Sequence, residues 1–230
     1  MKIFLSLLAC MCLFLTAVFS QTAAVQTKSA LESDPAGWVN LLADKSLKDW
    51  TRGGLPGVGQ LRAGNVADPS PWSLDASGRV LICEGDKVGR EWLRYNPELT
   101  DFIIHAEFRY PPVEGDARYN SGIFFRASAD ASVWHQAQAT LAGGFLLGNT
   151  RVKGEAQRLN MQKQMTENRV KPAGEWNVFE IRAAGRQITL WVNGAVVNEW
   201  ADCDVPSGHV GLEAEGYRIE FRNVHLKRLP

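Results

Sequence analysis

His105, Glu107 and Arg109 alternate with apolar residues along Asp101-Phe102-Ile103-Ile104-His105-Ala106-Glu107-Phe108-Arg109-Tyr110. In an extended chain they form one row, about 7 Å between successive side chains, while Phe102, Ile104, Ala106 and Phe108 line the other face. Such a row inside a core would be severely desolvated unless paired. Two readings stay open: a wet face that moves protons, or structural ion pairs with neighbouring strands.

A second group follows. In Asn120-Ser121-Gly122-Ile123-Phe124-Phe125-Arg126, residues Asn120, Gly122, Phe124 and Arg126 share one parity. Gly122 inside a strand suggests close approach by a ligand or another backbone. Arg126 offers a fixed donor fork to sugar hydroxyls or to a developing oxyanion, or else a salt bridge closing the edge of the fold. Trp134, Gln136 and Gln138 share a face two residues apart, an aromatic beside amides that suits a pyranose, although Trp is more often core filler. Glu213, Glu215 and Tyr217 form a second acidic row, and Glu215 is the further candidate for acid or base work. Glu220 and Arg222 after it fit a solvated face.

Missing motifs narrow the chemistry. The sequence has no Gly-x-Ser-x-Gly elbow, P-loop, dinucleotide fingerprint or His-Glu-x-x-His. The Glu-x-Asp-x-x-Glu strand that laminarinase-type sandwiches use for two-carboxylate retention is absent as well. The four histidines, at 105, 135, 209 and 225, have no metal-ligand spacing. The sequence thus calls for no cofactor, and a divalent cation stays open as a requirement.

The elements that must hold these residues are strands. The 230 residues include 21 Gly, 10 Pro, 8 Trp and 10 Phe, a turn-rich and aromatic composition without helical period. Strands are predicted at 38–42, 72–74, 79–83, 101–110, 121–126, 133–140, 144–149, 176–184, 187–192, 195–200, 208–215 and 217–227, with 121–126 beside 101–110. Asn193-Gly194 gives a type I′ hairpin, since both positions tolerate positive φ. Residues 52–71 read as a long loop, and 151–171 as a short helix or loop beside the site. Many short strands with turn signals imply an all-β, two-sheet antiparallel sandwich, whose concave face would suit a sugar chain or small glycoside.

Lys and Arg number 25, as do Asp and Glu. That balance gives no electrostatic pull towards nucleic acid or an anionic membrane. Residues 1–20 read as a secretory signal cleaved near Ser20–Gln21, with a signal anchor as rival. Residues 21–36 read as a flexible lead-in and 37–230 as one sandwich domain. The mature chain would be exported to a bacterial periplasm or beyond, with no membrane span. Cys10 and Cys12 leave with the signal; Cys83 and Cys203 then read as two buried thiols or as a pair.

Five segments together resemble the 3-keto-disaccharide hydrolase family, a concanavalin-like jelly roll: 101–109, 120–126, Gly174-Glu175-Trp176-Asn177, Trp191-Val192-Asn193-Gly194 and Glu220-Phe221-Arg222-Asn223-Val224. The resemblance spans roughly residues 37–230. It implies a substrate oxidised at C3, which acidifies the C2 proton; a base removes that proton, the C1 substituent departs by β-elimination, and water adds back. On this resemblance Glu107 or His105 transfers the proton, Arg126 and Asn120 stabilise the enolate, Gln138 and Arg109 position the sugar, and Glu215 is a second acid/base candidate. Trp134 and Gln136 complete the substrate-binding set. Where many relatives have a Glu-x-Gln strand and then an acidic loop, this chain has Gln136-Ala137-Gln138 and Ala142-Gly143-Gly144, so it departs from the family pattern at those carboxylates. A non-catalytic carbohydrate-binding module is the alternative.

Overall fold

The structure is a computed structural model that describes residues 27–55, 69–87, 90–115 and 118–230. The expected signal, residues 21–26 of the lead-in and residues 56–68 of the long loop lie outside the described residues.

In chain order the strands are β1 (Val39–Asn40), β2 (Trp50–Gly54), β3 (Trp72–Leu74), β4 (Val80–Glu84), β5 (Arg90–Tyr95), β6 (Phe102–Arg109), β7 (Gly122–Ala127) and β8 (Trp134–Thr140). They continue as β9 (Gly143–Val152), β10 (Glu155–Asn160), β11 (Asn177–Ala184), β12 (Gln187–Val192), β13 (Ala195–Trp200), β14 (His209–Glu215) and β15 (Arg218–Arg228). One sheet runs β13-β12-β11-β6-β15-β4-β3, with β1 also on β15; the other runs β10-β9-β8-β7-β14-β5-β2. All ladders are antiparallel. The fold is the expected all-β sandwich.

Period-two alternation explains why the sheets stack. Phe102, Ile104, Ala106 and Phe108 of β6, with Phe179 and Ile181 of β11 and Phe221 of β15, pack in one core with Ile123, Phe125, Ala137, Leu146 and Leu212 of the second sheet. Each large side chain so buried contributes roughly 1.5–3 kcal/mol. Phe108 meets Phe179 edge-on with ring centroids 4.9 Å apart. Asn193 and Gly194 both have positive φ, at 43° and 104°, as the β12–β13 hairpin requires. Cys83 and Cys203 are both free and buried, and burial pushes both thiols up.

Three expectations about elements are corrected. The neighbours of β6 are β11 and β15, whereas β7 belongs to the other sheet. The opening strand is only Val39–Asn40. Part of the segment expected as a short helix or loop, Glu155–Asn160, is an edge strand paired with β9, followed by a 3₁₀ turn at Gln162–Gln164. Among the described residues no helix is long and apolar enough to cross a membrane.

The N-terminal segment crosses the outer face of the β6 sheet. Ser29 caps the short helix Ala30–Ser33 in a reciprocal box with Glu32. The buried Glu180 carboxylate accepts the Ala30 and Leu31 N–H groups at 2.6 and 3.1 Å, so a sheet side chain holds the helix start in place.

Candidate functional site

The groove is on the other sheet. Alternate residues of its strands face one way: Arg90 on β5, Glu213 and Glu215 on β14, Trp134, Gln136, Gln138 and Thr140 on β8, Phe145 and Leu147 on β9, and Arg158 and Asn160 on the edge strand β10. Together with Asn120 they line an open groove of about 720 Å³. It is this sheet, through β7–β10 and β14, that brings the sugar-type residues together.

Its floor is a network of charges and amides. Arg90 Nη2 donates to Glu213 Oε1 at 2.6 Å, and Arg90 Nε stands 3.0 Å from Glu215 Oε2, so one guanidinium spans both carboxylates. The Gln136 amide donates to the other Glu213 oxygen. Gln138 Nε2 donates to Asn120 Oδ1, which leaves the Asn120 amide nitrogen without a hydrogen bond among the described residues. Glu213 is 1% exposed, whereas the Glu215 side chain keeps 28% of its surface. Burial raises the Glu213 carboxyl above its usual range, and Glu215 pushes the same way while Arg90 opposes.

Gly122 has a local reason on this floor. A Cβ there would fall 1.8 Å from Gln136 Nε2, so the missing side chain lets the Gln136 amide cross β7 to reach Glu213. The close approach foreseen at Gly122 is therefore made by a side chain of the protein itself.

Trp134 lines the groove but is not an open stacking platform. It is 9% exposed, packs edge-on to Phe124 at 5.8 Å, and carries the Arg158 guanidinium 5.0 Å from its ring centroid. Arg158 Nη1 also donates to Asn149 Oδ1 at 2.9 Å.

Four expected site residues lie elsewhere. Arg126 is fully buried, and its guanidinium donates to the Thr100, Gly185 and Val205 carbonyls and to Asp101. Strand parity places Arg126 on the groove face, but the β7–β14 register slips between His209 and Gly211, and Arg126 takes φ 43°. The irregularity turns the side chain away from the groove, where it ties together three loop segments.

His105, Glu107 and Arg109 sit on the outer face of the first sheet. Arg109 Nε donates to Glu220 at 2.7 Å, and both Arg109 and Arg222 lie over the Trp176 ring, at 4.7 and 4.0 Å. Glu107 borders a separate cleft of about 390 Å³ beneath the N-terminal segment. Its two oxygens are taken, at 2.7 Å each, by Arg222 Nε and Asn223 Nδ2. Burial pushes the Glu107 carboxyl up, but the nearby His105 ring and the bonds from Asn223 and Arg222 outweigh it and hold the group at about 2. A carboxylate that acidic is a poor base at neutral pH. His105 is 3% exposed, with Nδ1 2.8 Å from Glu180 Oε1 and Nε2 too far from Glu107, at 3.9 Å, for a good hydrogen bond. The row therefore makes structural pairs, the second of its two sequence readings.

Sequence reasoning missed Arg90, Glu213 and Arg158 as groove residues. The Glu213–Glu215 alternation was the one signal for the acidic pair. Arg90 and Arg158 fall on strands that carry no hydrophobic alternation to announce them. Among the described residues no group of three His, Cys, Asp or Glu side chains is placed to hold a metal ion.

A Parabacteroides distasonis protein described as a candidate glycosyl hydrolase superposes with a TM-score of 0.61 at 15% identity, over 89% of this chain and all of that one. The carbohydrate-binding module CBM66 of Bacillus subtilis gives 0.54 at 16% identity, over 76% of this chain and 93% of its own. The Bacillus licheniformis β-glucanase gives 0.52 at 9%, over 84% and 97%. At such identities the likeness establishes the sandwich fold. No curated protein matches the chain. Residues 37–227 match the family model described as the 3-keto-alpha-glucoside-1,2-lyase-like domain.

Proposed function

Because the chain belongs to the 3-keto-alpha-glucoside-1,2-lyase-like domain family, we propose that this carbohydrate-active protein cleaves 3-keto-glycosides in the groove on its second sheet. The observation that carries this reading is Arg90 spanning Glu213 and Glu215 on the floor of that groove.

Glu215, the more exposed of the two carboxylates, takes the C2 proton of the bound 3-keto sugar. The C2–H bond breaks and its electron pair delocalises onto the C3 oxygen as an enolate. The Asn120 amide nitrogen and the Arg90 guanidinium are the donors available to that charge. As the enolate collapses, C1=C2 forms and the C1–O bond breaks; the departing oxygen receives a proton, which Glu215 now carries. Water then adds across the double bond, its oxygen to C1 and a proton to C2, giving net hydrolysis. Glu213 is a positioning residue: buried beneath the floor, it fixes Arg90 on one side and Gln136 on the other. Export with loss of residues 1–20 belongs to the same reading, since it would expose the groove to extracytoplasmic glycosides.

The test is release of p-nitrophenol from p-nitrophenyl 3-keto-glucoside. Turnover that falls about 100-fold or more in Glu215→Gln supports the assignment, and turnover unchanged in that variant refutes it. A second reading, a binding module, is favoured by the ion pairing of both carboxylates to Arg90, which occupies them. It predicts saturable glycan binding and no release of nitrophenol by the wild-type protein.

A further inference from the structure

We propose that the substrate carries an anionic group, a carboxylate or a sulfate ester, on the unit next to the reacting ring, and that Arg158 binds it. This rests on the reading of the groove as a glycoside site and names its substrate class.

Arg158 is the groove cation that no carboxylate touches: the lining holds two arginines and two glutamates, and both glutamates lie on Arg90. Arg90 is neutralised by Glu213 and Glu215, whereas among the described residues Arg158 has no carboxylate partner; its contacts are the Asn149 side-chain oxygen and the face of Trp134. Those two contacts hold the guanidinium over an aromatic face with donors to spare, a fork for an oxyanion. It also covers the indole face on which a neutral pyranose would otherwise stack. Partial burial and the Arg90 charge both lower the Arg158 pKa, so an anion beside Arg158 would relieve its guanidinium.

Register fixes where the anion goes. Trp134 lies four residues along β8 from Gln138, about 13 Å at the rise of an extended strand. Arg158 lies opposite Asn149, which itself pairs with Trp134, so the free cation is at that end of the groove, away from Asn120. An anion there belongs to the adjacent sugar or aglycone, not to the ring whose C2 proton is removed.

The experiment is calorimetric titration of the folded wild-type protein, Arg158→Gln and Arg158→Lys with three unoxidised disaccharides: glucosyl-glucose, glucuronosyl-glucose and 6-sulfated glucosyl-glucose. Wild type should bind at least one acidic disaccharide roughly ten-fold or more tightly than the neutral one, as a charge-assisted hydrogen bond provides. Arg158→Gln should lose that preference and Arg158→Lys retain part of it. A carboxylate preference identifies a uronoside, and a sulfate preference a sulfated glycan. Equal affinity for neutral and acidic probes in the wild type, or a preference that survives Arg158→Gln, overturns the proposal. These are binding measurements, so an acidic preference in a protein that releases no nitrophenol from the 3-keto-glucoside would leave the anion site standing and refute the catalytic reading.

Discussion

Replacing Arg90 by Met removes the one cation that contacts Glu213 among the described residues and leaves that carboxyl buried with the Gln136 amide as its partner. Loss of one member of a buried pair costs about 3–5 kcal/mol when the other stays charged. Here the carboxyl has an escape, because it can bind a proton. An unfolded carboxyl of this type titrates near 4.5, so protonation costs about 1.4 kcal/mol for each pH unit above that value. The sign follows: a carboxyl whose folded pKa is raised destabilises the fold as pH climbs above its unfolded value and does nothing below it. Arg90→Met should therefore lose about 3–4 kcal/mol at pH 8 but only about 1 kcal/mol at pH 5, measured by urea unfolding. Adding Glu213→Gln removes the charge that needs a partner, so the double variant should recover most of the loss at pH 8 and show little of its pH dependence. A loss equal at both pH values, or a Glu213→Gln change that adds to the loss, would refute the claim that Arg90 exists in the groove to hold a buried acid.

Other expectations follow from the same structure. Arg126→Met should cost about 3 kcal/mol or more, because it strands three carbonyl acceptors and Asp101; a fully stable variant with reduced turnover would instead make Arg126 a substrate ligand. Gly122→Ala drives a methyl into Gln136, so turnover should drop while stability falls by about 1–3 kcal/mol, and wild-type values in both would disprove the crossing. His135 is fully buried beside Thr150 and Phe125, and burial lowers it from 6.5 to about 4. The unfolded chain binds this proton more readily, so about 3 kcal/mol of stability should disappear as pH falls from 6.5 to 4. Urea unfolding of His135→Gln should lack that component, and identical acid slopes in the two proteins would exclude it.

The legible and illegible parts of this fold separate along physical lines. Alternation in β6 is visible because Phe102, Ile104, Ala106 and Phe108 face a core, and Asn193-Gly194 is visible because few residue pairs tolerate two positive φ values. Strand β10 shows no pattern, since it is an exposed edge held by its ladder to β9. Strand β5 is obscured because Arg90 and Arg94 alternate with a buried acid, Glu91, which the Trp72 indole and Arg52 satisfy from the other side. For the site, parity within β8 and β14 was enough to group Trp134, Gln136 and Gln138, and Glu213 with Glu215. What parity cannot carry is which strands are neighbours. Glu107 and Glu215 look equally poised along their own strands, yet Arg222 and Asn223 converge on one while the other opens to the groove. Arg126 fails for a second reason, an irregular register that inverts its direction.

Proton exchange at C2 tests the central claim most directly. Incubated in D₂O with a 3-keto-glucoside and followed by proton NMR, the wild-type protein should exchange or eliminate the C2 hydrogen. Glu215→Gln should slow that loss by about 100-fold or more, while Glu107→Gln, however destabilised, should leave it near the wild-type rate in the folded protein. Exchange that persists in Glu215→Gln and vanishes in Glu107→Gln would move the chemistry to the opposite face of the sandwich and contradict the account.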